Sequence, residues 1–312
     1  MSTYRGSRNC NIASRRNIVF GGAAVRSVLP LLPTMPATAE TGSAARQSYR
    51  REGMRLYLAA LLLTCTLACP AEAQSAPSQG SKPTIVLVHG AFAGSSSWNG
   101  VISELARDGY PVVAAAVPLR SLKGDAQYVS SLVASVTGPV VLVGHSYGGE
   151  VISVAAAERP NVKSLVFVAG FAPEIGESAS SLSSRFPTGT LASALAPPVK
   201  LADGGADLYI LQSHYRKQFA ADVPEADATR MAVTQRPIAE SALAEPAEAM
   251  AWRQLPSWFV WGSLDYNIPA ALSKFMADRA AAREAVEIPG ASHVVMISHP
   301  HDITEMIKRA AK

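Results

Sequence analysis

Cysteine is nearly absent from this chain of 312 residues. Only Cys10, Cys65 and Cys69 carry a thiol, and all three precede Ala73. The remainder therefore has no disulfide framework and no thiolate metal site. Charged residues are also sparse, at 17%, against 48% hydrophobic ones. That balance excludes disorder as the default and leaves enough apolar material for a packed core. The net charge of +4 is unevenly placed: nine Arg or Lys and three Asp or Glu precede Gln74. From Gln74 onward, 19 basic and 21 acidic residues give a formal charge of −2. The basic character belongs to the leader, so a nucleic-acid partner loses its electrostatic support. No internal repeat is visible. His299-Pro300-His301 is the one hint of a metal site, and no cluster of carboxylates or thiols supports it. Neither a metal nor an organic cofactor is expected.

The longest apolar run lies early in the chain. Met54-Arg55 precedes it, Leu56 to Ala68 forms it, and Ala71-Glu72-Ala73 follows. A short basic region, an apolar region and a small-x-small site make a secretory signal peptide over residues 54–73. The run is too short to span a bilayer comfortably, so no stable membrane insertion is expected once it is removed. A retained N-terminal anchor is the alternative. The expected location is exported, periplasmic or secreted. Residues 1–53 read as an over-extended or disordered leader, with Met54 as the true start. A second account takes Ser14-Arg15-Arg16 as a twin-arginine hint, although Arg26 breaks the apolar patch that follows.

From Pro83 short apolar runs alternate with amphipathic stretches. Strands are predicted at Thr84–Val88, Val112–Val117, Val140–Val143, Val162–Val168, Trp258–Trp261 and Ala285–Ile288. Helices are predicted at Ser97–Asp108, Asp125–Val136, Tyr147–Glu158, Pro269–Ala281 and Asp302–Ala311. In the second helix Tyr128, Val129, Leu132 and Val133 are expected to face inward. This alternation implies right-handed βαβ units and a parallel sheet covered on both faces. The fold class is α/β, with one domain over 83–312. Residues 172–250 break the rhythm and show no strong strand. They read as a helical cap with pieces at Ala192–Leu195, Leu208–Phe219 and Glu225–Gln235.

Gly144-His145-Ser146-Tyr147-Gly148 is a G-x-S-x-G motif directly after an apolar strand and before a helix. That is the context of a nucleophile elbow, a strained turn that lifts the serine above the carboxyl edge of a sheet. A serine hydroxyl needs an adjacent base, itself held by a third group. In the expected order of serine, carboxylate and histidine, Asp265 and His293 each follow a predicted strand. Ser146, Asp265 and His293 are the candidate catalytic residues. Asp265 also reads as a helix N-cap. The loop His89-Gly90-Ala91-Phe92 after the first strand is expected to bring the Ala91 amide to an oxyanion, paired with the Tyr147 amide. His89 and His145 read as structural, His145 as a satisfied buried histidine. Phe92, Phe171, Tyr209 and Tyr215 are the candidate substrate-binding residues, the last two from the cap.

The segments VLVHGAF at 86–92, VLVGHSYGG at 141–149, VFVAGFAPEIGES at 166–178 and GASHVVMISHP at 290–300 resemble the α/β-hydrolase superfamily. Within it the chain looks most like the methylesterase and hydroxynitrile lyase group and its bacterial esterase relatives. The resemblance implies an α/β-hydrolase fold, with a six-stranded, mainly parallel sheet and a small helical cap after the fourth strand. It also implies a triad of Ser146, Asp265 and His293. The lyases of that group carry Thr where this chain has Gly90, and Lys where it has Val294. Their absence favours ester hydrolysis. The expected partner is a small or aromatic ester; the oligomeric state is left open. The alternatives are a lactonase, a carbon–carbon bond hydrolase or a lyase on the same triad, or a small-molecule receptor of the same fold.

Overall fold

The computed structural model describes residues 82–312. The leader expected at 1–53 and the signal peptide expected at 54–73 lie outside the described residues. The core begins with β1 (Thr84–Val88), α1 (Asn99–Arg107), β2 (Val112–Ala115), α2 (Leu122–Ala134), β3 (Val140–His145), α3 (Tyr147–Ala155) and β4 (Val162–Val168). A long excursion follows, with α4 (Ala179–Ser184), α5 (Leu191–Ala194), β5 (Val199–Lys200), β6 (Ala206–Leu208), α6 (Gln212–Phe219), α7 (Glu225–Thr234), β7 (Ile238–Ala239) and α8 (Glu240–Ala244). The core then resumes with β8 (Ser257–Gly262), α9 (Ala270–Arg279), β9 (Glu284–Ile288), α10 (Val295–Ser298) and α11 (Pro300–Ala310).

Six strands form one sheet in the order β2-β1-β3-β4-β8-β9, and every pairing in it is parallel. Parallel neighbours need crossover connections, and the helices between strands supply them. The continuous apolar runs have a simple cause. Every residue of β3 is buried, which requires cover on both faces of the sheet. Helices α2 and α3 pack together, α1 packs on α11, and α11 also lies against β4 and β8. The chain runs outward from β1 to β2, then returns to β3 on the other side of β1. The strand order reverses there, and in open α/β sheets the carboxyl ends at such a point form the ligand crevice.

The excursion differs from the expected all-helical cap. It contains a three-stranded antiparallel sheet of β5, β6 and β7. The predicted helix at Leu208–Phe219 is divided: Leu208 ends β6, Ile210 bridges to Leu195, and the helix starts only at Gln212. Strands of two or three residues carry no period that a sequence can display. The small sheet is tied to the loop after β2. Arg120 reaches Asp207 Oδ1 at 2.5 Å and the Pro237 carbonyl at 3.0 Å, while the Ala239 amide donates to the Leu119 carbonyl at 3.0 Å. A second difference concerns α2. Tyr128 is 40% exposed, while Asp125, Ala126, Val129 and Val133 face the core. The inward stripe begins earlier than expected because Ser121 caps the helix, accepting from the Gly124 amide, and starts it at Leu122. Among the described residues no helix is long and apolar enough to cross a membrane.

Candidate active site

The carboxyl ends of β1, β3, β8 and β9 each deliver one part of a site. Ser146 follows β3 at φ 55° and ψ −125°, a conformation that L residues rarely adopt. Holding it costs about 1–3 kcal/mol and needs a surrounding structure that over-determines it. That structure is visible. The Ser146 amide donates to the Val168 and Ala169 carbonyls at 3.2 and 3.1 Å. Its own carbonyl accepts from Gly149 at 2.9 Å and Phe171 at 3.0 Å. A Cβ on Gly144 would lie 2.4 Å from the Gly148 carbonyl oxygen, and one on Gly148 would lie 2.5 Å from that of Val88. Only glycine permits so tight a turn from strand to helix.

His293 and Asp265 meet in the interior. Nδ1 of His293 lies 2.7 Å from Asp265 Oδ2, and both side chains are buried. The other carboxylate oxygen, Oδ1, accepts the amides of Asn267 and Ile268 at 2.8 and 2.9 Å. Asp265 thus acts as a local cap of its loop and as a partner of His293 at once. A carboxylate can only accept from Nδ1–H, so Nε2 is left as the basic nitrogen of a neutral ring. Ser146 and His293 line the same cavity. No hydrogen bond joins them in this structure; such bonds are often long until a substrate is bound.

His145 lies beneath His293, with ring centroids 4.8 Å apart, and its Nε2 is 3.1 Å from the His293 carbonyl oxygen. Burial, reinforced by the neighbouring His293, holds His145 well below the usual histidine range. It is therefore neutral, and its Nε2–H donates to that carbonyl. Its Nδ1 has no partner among the described residues, so there this histidine is only half satisfied, where a fully satisfied one was expected. His89 is held at about 4 by burial. Its Nδ1 meets the Gly90 carbonyl at 3.0 Å and its Nε2 accepts the Val117 amide at 3.2 Å, which fixes the loop that carries Ala91.

Ala91 and Tyr147 both line the cavity, and neither backbone amide donates to another backbone carbonyl among the described residues. Two free N–H groups beside a serine, one at the first position of a helix, can hold a developing negative oxygen. The Ala91 loop is braced next door. Phe92 has φ 58°; its amide donates to the Arg236 carbonyl at 3.0 Å, and its carbonyl accepts the Tyr215 hydroxyl at 3.0 Å.

The cavity holds about 460 Å³, a size suited to a small organic molecule. Phe92 and Phe171 line it as expected. The two cap tyrosines do not. Tyr209 is half-buried away from this cavity, because the chain there is extended instead of helical. Tyr215 is buried behind Phe92 and borders a separate cavity of about 420 Å³, so its role is to brace the loop. Phe219 occupies the wall that those tyrosines were expected to form. Its ring lies 5.0 Å from that of His293 and T-shaped against Phe92 at 6.1 Å. No motif marks Phe219; only its place at the end of α6 could have flagged it.

The model of a family described as the alpha/beta hydrolase family matches residues 85–306. The alpha/beta hydrolase nvfD of Aspergillus novofumigatus is 26% identical over 250 residues, spanning 74% of this chain and 97% of that protein. Methylesterase 8 of Arabidopsis thaliana is 24% identical over 243 residues, spanning 72% of this chain and 88% of that protein. The crystal structure of polyneuridine aldehyde esterase is similar with a TM-score of 0.66 at 18% identity, covering 74% of this chain and 100% of that one.

Proposed function

This chain belongs to the alpha/beta hydrolase family, and on that premise we propose that it cleaves carboxylic esters through an acyl-enzyme on Ser146. The observation that carries the proposal is the buried 2.7 Å contact between Asp265 and His293 Nδ1, with His293 and Ser146 lining one cavity. With Nδ1–H held by Asp265, His293 Nε2 takes the proton of Ser146 Oγ as the oxygen attacks the ester carbonyl. The carbonyl oxygen becomes negative and is stabilised by the Ala91 and Tyr147 amides. His293 then gives its proton to the leaving alkoxide, and the alcohol departs. Water, deprotonated by the same Nε2, attacks the acyl-serine. The acid leaves and the proton returns to Ser146. Asp265 stays ionised throughout and stabilises the imidazolium.

The substrate we favour is an uncharged small or aromatic ester. Phe92, Phe171, Phe186 and Phe219 supply apolar walls, and among the described residues Glu240 is the only Asp, Glu, Lys or Arg lining the cavity. Gly90 and Val294 support ester cleavage over cyanohydrin cleavage, since the lyases that the chain resembles carry Thr and Lys there. The matched proteins named as esterases lend support to the same reading. Gln74 onward is proposed to be the exported form.

Turnover of a panel of p-nitrophenyl esters, measured for the wild type, His293→Ala and Asp265→Asn, tests the mechanism. His293→Ala is expected to lose about three to six decades in kcat, and Asp265→Asn somewhat less. Folded His293→Ala with near wild-type turnover would overturn it.

A further inference from the structure

Asn267 is only 6% exposed and lines the catalytic cavity. Its Nδ2 has no hydrogen-bond partner among the described residues. Orphaned amides of this kind are rare and call for a physical reason. A misassigned amide would be the simplest one, because oxygen and nitrogen are easily exchanged in asparagine and glutamine. Here the surrounding bonds exclude that exchange. The Tyr266 backbone carbonyl can only accept, so the Gln218 atom 3.0 Å from it is Nε2. Gln218 Oε1 is then free to accept from Thr190 Oγ1 at 2.9 Å. Nε2 has a second hydrogen, which goes to Asn267 at 2.8 Å, so the atom it meets there is the carbonyl Oδ1. The remaining amide atom of Asn267 is a donor without an acceptor. Its orientation is set by Gln218 from the cap, by Thr190 and by the Tyr266 carbonyl.

The backbone of Asn267 is held as firmly. Its N–H donates to Asp265 Oδ1, so this residue is fixed relative to the carboxylate that orients His293. A buried side chain that only filled space would need no such alignment. Leucine has about the same size but would leave the Gln218 Nε2–H without its acceptor, so Oδ1 has a structural partner and only Nδ2 is left without one. The cavity lining is largely apolar, with Ile268, Phe171 and Phe219 in it, and Ser180, Ser183 and Ser184 are its other side-chain hydroxyls besides Ser146.

We infer that Asn267 Nδ2 is a specificity-determining donor that hydrogen-bonds a second acceptor oxygen of the substrate, separate from the scissile ester carbonyl. The substrate class is then an uncharged ester that also carries a keto or ether oxygen. A plain alkyl ester would leave the donor buried and unpaired in the complex. A site built around a hydrogen bond discriminates against the analogue that lacks the partner far more than an apolar pocket discriminates by one methylene. The inference rests on the serine-esterase reading above.

The test compares matched esters. On the acyl side the probes are p-nitrophenyl hexanoate and its 3-, 4- and 5-oxo forms. On the alcohol side they are hexyl acetate and its 2-, 3-, 4- and 5-oxohexyl counterparts, followed by pH-stat. Each rate is divided by that of hydroxide-catalysed hydrolysis of the same ester. The wild type is expected to prefer at least one oxo ester by about tenfold in kcat/KM. Asn267→Leu, and Asn267→Asp, which keeps the acceptor toward Gln218 but replaces the donor, are expected to lose that preference. An equal fall on every ester in both variants would mean a structural role only and would overturn the inference. So would a preference unchanged by either variant, or no oxo preference in the wild type. Ser146→Ala separates the two levels of the argument. If it abolishes turnover of all probes while the Asn267 variants leave the ratio alone, only this inference fails. If Ser146→Ala leaves turnover intact, the serine-esterase reading itself fails.

Discussion

Gly90 faces Ser146 so closely that a Cβ there would lie 2.6 Å from the serine Cβ and 2.7 Å from the His145 carbonyl oxygen. Neither neighbour has room to yield, since the elbow is pinned by four backbone bonds. Gly90→Ala is therefore expected to fold but to displace the nucleophile. A displacement near 1 Å costs on the order of a hundredfold in rate, and steady-state kcat of the variant on an aryl ester would show it. Glu150 poses a different problem one turn into α3. Both carboxyl oxygens are buried with no well-formed hydrogen bond among the described residues, and burial, only partly opposed by the Ala179 backbone, pushes the group well above the usual range. The folded protein thus binds a proton there that the unfolded chain has released at neutral pH. The stabilising contribution is full below about 4.5, the value of a free glutamate, and is lost as pH rises. Glu150→Gln cannot ionise in either state. Its melting temperature should gain on the wild type from pH 5 to pH 8, by at most about 1.4 kcal/mol per pH unit in stability. A constant difference across that range would contradict the assignment. At this scale the sequence is legible where a motif fixes a backbone position, as G-x-S-x-G does for Ser146 at the turn between β3 and α3. It was silent on Glu150, Phe219 and Asn267, because their roles come from what the fold packs around them.

Elements differ in the same way. The six core strands and the helices between them were readable because buried parallel strands are continuous apolar runs and the covering helices carry one apolar face. The excursion between β4 and β8 was not. Its strands are two or three residues long, and they pair across gaps of up to about 30 residues. Tyr209 lies off the cavity for that reason, since the helix expected to carry it begins only at Gln212, whereas Tyr215 is helical as expected but turns to the loop after β1. Tyr215 instead braces the loop after β1 through its hydroxyl bond to the Phe92 carbonyl. Phe92 holds an uncommon φ of 58° and depends on such support. Tyr215→Phe is expected to lose about 1 kcal/mol of stability by urea unfolding. It should also lower kcat several-fold with a smaller change in KM, because the loosened loop carries the Ala91 amide. Unchanged kcat with lowered stability would show that the bond is structural only.

For the molecule as a whole, the site sits where strand order reverses, beside β1 and β3, and each part arrives from a different strand end. The topology thus brings Ala91, Ser146 and His293, far apart in sequence, to one cavity, with Asp265 behind His293. The leader belongs to the same scale. Expression from Met54 is expected to yield an exported protein that begins near Gln74, read by N-terminal sequencing; a retained Met54 in the cytoplasm would contradict export. The central claim, that Ser146 is an activated nucleophile held by His293 and Asp265, has one most direct test. The wild type and Ser146→Ala are incubated with a fluorophosphonate, then analysed by intact mass and peptide mapping, with folding checked by circular dichroism. The account predicts a single phosphonyl adduct on Ser146, none on Ser146→Ala, and much slower labelling of His293→Ala. An adduct on another residue, or undiminished labelling of folded Ser146→Ala, would contradict it.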